Sequence, residues 1–524
     1  MQYRNNDAGG ALRQVGNTGP IQGERRVSAP LATTPAHTPP APPEGYAPGG
    51  ISNGPRISGP LPTDPTADAA GRVRRANQAI PMRPTTIAET GLDANLLQEL
   101  TLKVIVSAGT LSAPSVAAQL HLPLGGLLDE VLTSLRREGL IEVAAGATES
   151  ARSLSGLSAG GLAVGNALVF RSTDLGRARA REALERNAYV GPAPVPFSSY
   201  CAVLAAQLQA RSAVMRAVVR QRLSHLVLAD EIIDQVGVAV SRGGALFIWG
   251  HPGNGKTAIA EAIATMLSGG VFIPHAIEVR GHILPVFDPT VHIPLPLEGV
   301  DGMARLDERW VYCQPPLVEA GGELTLSNLD LQFNDRLRLY ECPLQIKAAA
   351  GVLLVDDFGR QQVRPQELLN RWIVPLERGI DFVTLMNGQK VAIPFAALVV
   401  FSTNLRPAEL VDEAFLRRVP NKIYVSDPTP EQYREILMRA CRTMGVAFTD
   451  TGFLHLLRQH YQQARRSMRA CHPRDLLRHI VALARYYGVP AELSPQLLDA
   501  AAHVYFLGDD LTRDPNASLQ MPPR

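Results

Sequence analysis

Gly250-His251-Pro252-Gly253-Asn254-Gly255-Lys256-Thr257 decides how the rest of the chain is read. The eight residues fit G-x-x-x-x-G-K-[ST], a loop that cradles phosphates. The flanks supply the context that the loop needs. In front, Ala245-Leu246-Phe247-Ile248-Trp249 is a short apolar run and predicts a buried strand. Behind, Ala258-Ile259-Ala260-Glu261-Ala262-Ile263-Ala264 is rich in helix formers. Strand, glycine loop and helix together turn backbone N–H groups inward and set a helix N-terminus against bound phosphate. In such a loop Lys256 reaches the β- and γ-phosphates, and the Thr257 hydroxyl sits on Mg²⁺.

A second stretch completes the chemistry. Gly351-Val352-Leu353-Leu354-Val355-Asp356-Asp357 is an apolar run ending in two carboxylates. Buried parallel strands read this way, and α/β sheets place ligands at the carboxyl ends of their strands. Asp356 is therefore the candidate Mg²⁺ partner. Asp357 is the candidate to orient or deprotonate an attacking water. A third run, Ala397-Leu398-Val399-Val400-Phe401, ends at Ser402-Thr403-Asn404, and Asn404 can hydrogen-bond that water.

Composition bounds the class. With 524 residues the chain has room for about two to four domains. It is 46% hydrophobic, ample for a core, and its net charge of +2 neither demands nor forbids nucleic acid. Cys201, Cys313, Cys342, Cys441 and Cys471 are far apart and form neither a zinc pattern nor a disulfide framework. No apolar run reaches the ~18–20 residues of a membrane helix, and the N-terminus lacks the apolar core of a signal peptide. Cytoplasmic residence and no membrane insertion are the expectations.

Along the chain, residues 1–88 are Pro-, Gly- and Ala-rich and predict a disordered tail. Helical spacing over 92–106, 113–120 and 124–137 precedes a strand at 140–143 and its partner at 167–170. Three helices, a two-stranded wing and a closing helix over 173–187 resemble a winged-helix domain, placed at 89–187. Its third helix carries Asp129 and Glu130, with Arg136 and Arg137 only at its end. DNA readers put basic or amide side chains near the start of that helix, so protein contact is favoured over DNA. Residues 188–224 read as a proline-rich linker and a helix. The second sheet strand is expected at Val271-Phe272-Ile273-Pro274, followed by an insertion at about 275–350. His275, His282 and His292 in that region have spacings that fit no metal motif. Residues 365–378 read as a helix, and Asn387-Gly388 as the turn of a hairpin.

The order of these parts resembles the AAA+ ATPases over roughly residues 225–508, with Walker A at 250–257, Walker B at 352–357 and sensor 1 at Asn404. The resemblance implies a parallel α/β domain at 225–425, a helical lid at 426–508 and a tail at 509–524. It implies ATP and Mg²⁺ as cofactors and a homo-oligomeric, hexameric ring. Phe415-Leu416-Arg417-Arg418-Val419 looks like the arginine-finger region, so Arg418, with Arg417 in reserve, would reach a neighbour's γ-phosphate. Cys471-His472-Pro473-Arg474-Asp475-Leu476 looks like the sensor 2 helix, with Arg474 on the nucleotide. The segment holding Ile232 and Gly237 would lie against the adenine. The hairpin further resembles the branch with MoxR-like and magnesium-chelatase-like ATPases, including chaperone-like bacterial ATPases met near pilus-assembly genes. One departure stands out: the family has Glu after the Walker B Asp, and here it is Asp357. Its carboxylate is one methylene shorter, and a shift of about 1 Å at a reacting centre can cost on the order of 10²-fold in rate. The leading expectation is a ring ATPase that remodels a protein client. A DNA-acting motor or loader and a slow nucleotide-gated switch are the alternatives.

Overall fold

The computed structural model describes residues 80–144, 168–296 and 305–506. Most of the tail expected at 1–88, the wing loop at 145–167 and the C-terminal tail lie outside these residues. Residues 80–88 are not tail-like. Met82 bridges to Leu306, and the Arg83 N–H donates to Arg305 O at 2.7 Å.

Five parallel strands form the central sheet: β1 (Ala245–Trp249), β2 (Leu317–Ala320), β3 (Val352–Val355), β4 (Leu398–Thr403) and β5 (Asn421–Tyr424). Their order is β2-β3-β4-β1-β5. Alternate side chains feed two cores, as the period of two in a strand requires. Leu246, Ile248, Leu354 and Val400 pack under the helices Asp230–Arg242 and α1 (Lys256–Met266). Phe247, Leu353, Val355 and Phe401 pack against Trp372 of the helix Pro365–Arg378. The fold is an α/β P-loop fold.

The second strand corrects the sequence reading. Val271–Pro274 pairs antiparallel with Trp310–Cys313 outside the central sheet, and Leu317–Ala320 takes the place beside β3. The hairpin is present, with Ile380–Thr384 against Lys390–Pro394 and Gly388 at φ 78° in the turn.

At the N-terminal side, helices Ala94–Ala108, Ala113–Leu120 and Asp129–Arg137 pack with a three-stranded sheet, one strand more than expected. The third helix does not begin at 124. Gly125 and Gly126 are non-helical, with Gly126 at φ 74°, and regular helix starts at Asp129. The expected linker at 188–200 is packed. Val195–Pro196 pairs parallel with Ala276–Val279, and Ala193 and Val195 are fully buried. Arg309 ties this region together. Its guanidinium is buried on Asp307 at 2.9 Å and donates to Thr90 O and Pro194 O. Burying a charge is costly unless it is paired and hydrogen-bonded, and this guanidinium is both.

Residues 430–506 form a helical unit built on α2 (Pro430–Met444), α3 (His472–Tyr487) and α4 (Pro495–Tyr505). Thr429 starts α2 through a capping box with Gln432. Among the described residues no helix is long and apolar enough to cross a membrane.

Candidate functional site

Parallel strands bring the candidate residues to one edge of the sheet. β1 ends in the 250–257 loop, β3 in Asp356, β4 in Thr403 and β5 in Val425. Gly250 N–H donates to Thr403 O at 3.3 Å, and Asp356 N–H donates to Ala320 O at 2.9 Å. Register alone therefore sets the loop beside the two carboxylates.

Two loop glycines are fixed by their surroundings. A Cβ on Gly250, at φ 148°, would lie 2.3 Å from Val425 O, and one on Gly253, at φ 81°, would lie 2.4 Å from Cys471 Sγ. Helix α1 starts at Lys256 with no side chain capping its first turn, so N–H groups face the loop as a phosphate requires. A cavity of about 580 Å³ opens there, lined by Gly253, Asn254, Gly255, Lys256 and Thr257 on one side and by Arg439, Cys471 and Arg474 on the other.

Lys256 is 7% exposed. Its ammonium donates to His251 O at 3.0 Å and to Asn404 Oδ1 at 2.6 Å. Burial pulls its pKa below the usual lysine value, partly offset by Asp357 and Asp356. The Asn404 amide in turn donates to Asp357 Oδ1 at 3.0 Å. Thr257 donates to Asp356 Oδ2 at 3.0 Å. The hydroxyl, which lines the cavity, and the carboxylate beside it are hard oxygen donors of the kind that suits Mg²⁺. Asp357 has φ 48°, a left-handed conformation that Asp tolerates better than longer side chains.

A second cluster was not foreseen. Asp427, just past β5, accepts from Asn254 Nδ2 at 2.7 Å, lies 3.2 Å from His251 Nδ1 and pairs with Arg469. Asn254 Oδ1 also accepts from Ala470 N–H at 3.2 Å. The loop, the segment after β5 and the residues just before α3 are thus clasped together around one carboxylate. Burial pushes the Asp427 pKa up, but hydrogen bonds from Asn254 and Arg469 and the Arg469 charge outweigh it and hold it below the usual aspartate value. The sequence signal was present for Asp427, a carboxylate at the end of a parallel strand. Arg469 carries no such signal.

Residues 429–504 match a family described as Domain of unknown function (DUF8689). Spastin of Anopheles gambiae is 22% identical over 253 residues, 48% of this chain and 24% of Spastin. The chain thus spans about a quarter of the curated relative it matches. Among solved structures, NtrX from Brucella abortus aligns over 61% of this chain and 62% of its own at 15% identity, with a TM-score of 0.36. The Thermotoga maritima RuvB Holliday junction branch migration motor aligns over 57% and 72% at 13% identity, with a TM-score of 0.31.

Gly250, Gly253, Asn254, Lys256, Thr257, Asp356, Asp357 and Asn404 come together; His251 turns to Asp427, and Pro252 lies exposed in the loop. Arg474 lines the cavity with its side chain 64% exposed. Ile232 and Gly237 do not line this cavity. Ile232 is buried in the core beneath the sheet, and Gly237 packs on Val219. Residues 225–228, ahead of that helix, line the cavity instead. Arg417 and Arg418 do not join the site. They line a different cavity with Arg242, Gly243, Gly244 and Glu377, and Arg418 Nε donates to Glu377 Oε1 at 2.6 Å. That cavity sits at the amino end of β1, and five strand residues at about 3.3 Å each separate it from the loop.

Proposed function

We propose that the chain is an ATPase of the AAA+ type, working as a ring that remodels a protein client. The observation that carries the reading is the continuous path Lys256–Asn404–Asp357 beside the Thr257–Asp356 pair. In it, water attacks the γ-phosphorus while the bond to the β–γ bridging oxygen breaks, giving phosphate and ADP. Asp357 accepts the proton of the water, and Asn404 keeps that carboxylate turned toward the reacting phosphate. Lys256 faces the phosphate charge. Thr257 and Asp356 would hold Mg²⁺, which supplies charge neutralisation at the phosphates.

Arg417 and Arg418 stand at the far end of β1, so in this reading they serve the site of an adjoining copy. That makes the working unit a homo-oligomer, and a hexamer follows the resemblance. Arg474 touches the nucleotide from the lid. The N-terminal unit is read as winged-helix-like and used for protein contact, because Asp129 and Glu130 are exposed at the start of its third helix. A cytoplasmic setting goes with the use of ATP. DNA action is the weaker alternative, since phosphates would meet those carboxylates first.

Phosphate release by the purified protein tests the activity. Mixing Arg418→Ala with Lys256→Ala tests the shared site: each is expected to be inactive alone and the mixture partly active. A mixture that stays inactive at every ratio removes the role given to Arg418. Strong, salt-sensitive stimulation by DNA would move the reading to the DNA-acting alternative.

A further inference from the structure

The lid holds a second constellation, outside the nucleotide cavity's lining. His455 Nε2 and His460 Nε2 each lie 2.7 Å from the same oxygen, Asp499 Oδ1. The ligand atoms of all three residues lie within 4.8 Å of one another. In an α-helix, residues five apart point about 140° away from each other. Here the helix that begins at Asp450 widens over Leu456–Gln463 to i→i+5 pairing, which returns His460 to the face of His455. Asp499 reaches the same point from α4. Such widened turns are rare and cluster at functional sites.

We propose that His455, His460 and Asp499 bind one divalent transition ion of the zinc class. The donor set decides the class: two imidazole nitrogens and one carboxylate suit Zn²⁺, Co²⁺ or Ni²⁺, whereas Mg²⁺ and Ca²⁺ take oxygen ligands. Bonds of 2.0–2.1 Å to a tetrahedral centre set ligand atoms about 3.3 Å apart, so each imidazole moves by well under about 1 Å from its present contact. Both histidines are about three-quarters or more buried, at 24% and 20% exposure, while Asp499 is 53% exposed and leaves a side open to water as fourth ligand. Binding replaces two N–H donors on Asp499 with two nitrogen lone pairs on the metal. It would pin the widened helix to α4.

The test is Co²⁺ titration of the untagged, chelator-treated full chain, followed by its visible absorption band and by displacement with Zn²⁺. One saturable Co²⁺ per chain is expected. His455→Gln, His460→Gln and the near-isosteric Asp499→Asn should each weaken it by at least roughly tenfold. His282→Gln, in another part of the chain, should bind as the parent does. Far-UV circular dichroism checks that each variant is folded, and Asp499→Asn stands if a histidine variant is not. No saturable band in the parent overturns the site. Unchanged affinity in the folded variants overturns it equally, and would leave Asp499 as a shared hydrogen-bond acceptor for two histidines.

Discussion

The side-chain amide of Asn404 donates to the Asp357 carboxylate across 3.0 Å, while its oxygen accepts from Lys256 at 2.6 Å. One amide therefore fixes the relative position of the residue proposed to meet phosphate and the residue proposed to meet water. Replacing Asp357 by Ala should leave the ATP dissociation constant within about twofold and lower turnover by roughly 10²-fold or more, the usual scale for a general base. Single-turnover phosphate release beside an equilibrium binding curve checks this. Parent-rate hydrolysis in the variant would hand the water to another residue.

Asp357→Glu restores the residue that the AAA+ resemblance leads one to expect, yet it should not give a faster enzyme. At φ 48° the shorter acid is tolerated, and a longer side chain meets the left-handed penalty of about 1 kcal/mol. Chemical denaturation should show a loss of about that size, with turnover at or below the parent's. A stable variant with clearly higher turnover would mean that the carboxylate here is too short rather than set by its backbone.

Asp427→Asn should loosen the clasp between the loop and the helical unit at 430–506. The charge that holds Arg469 and the hydrogen bond from Asn254 are weakened together, worth about 1–3 kcal/mol. The sign of its pH dependence follows from a folded-state pKa below the ordinary aspartate value of 3.8. Stability from this group is complete above the unfolded value and is lost as pH falls through the lower, folded value. The parent should therefore exceed the variant at pH 7, and the two should converge below about pH 3.8. Urea unfolding at several pH values reads this directly, and a gap that widens on acidification would contradict it.

Gly253→Ala sets a methyl 2.4 Å from Cys471 Sγ at a residue with φ 81°. Both the left-handed backbone and the contact oppose it, so the loop must move away from the lid. Weaker ATP binding by about tenfold or more is expected, with the rest of the fold intact, since a cost of about 1.4 kcal/mol already gives that factor. Calorimetric titration with ATP is the check.

Much of the fold and site was legible because buried parallel strands are apolar runs, and ligand-facing residues follow them. The 250–257 loop, Asp356, Asp357 and Asn404 all stand directly after such runs. The second sheet strand was misread for the same reason. Val271–Pro274 is buried at all four positions and looks interior, whereas β2 lies at the edge of the sheet and carries exposed Glu319. Ile232 was an apolar residue on an amphipathic helix, and its periodicity spoke for the core that it in fact joins. The Asp427 clasp joins residues more than 170 positions apart, which no local pattern records. The histidine pair in the lid needed a widened helical turn, and an i, i+5 spacing read at 3.6 residues per turn hides it.

The proposed chemistry begins with a triphosphate held by the 250–257 loop through Lys256. Equilibrium binding of labelled ATP, with Mg²⁺ present, to the parent and to Lys256→Ala tests it most directly. Saturable binding of one ATP per chain in the parent, weakened by at least about tenfold in the variant, is the expected result. Failure of the parent to retain ATP, or equal binding by the two proteins, would contradict it.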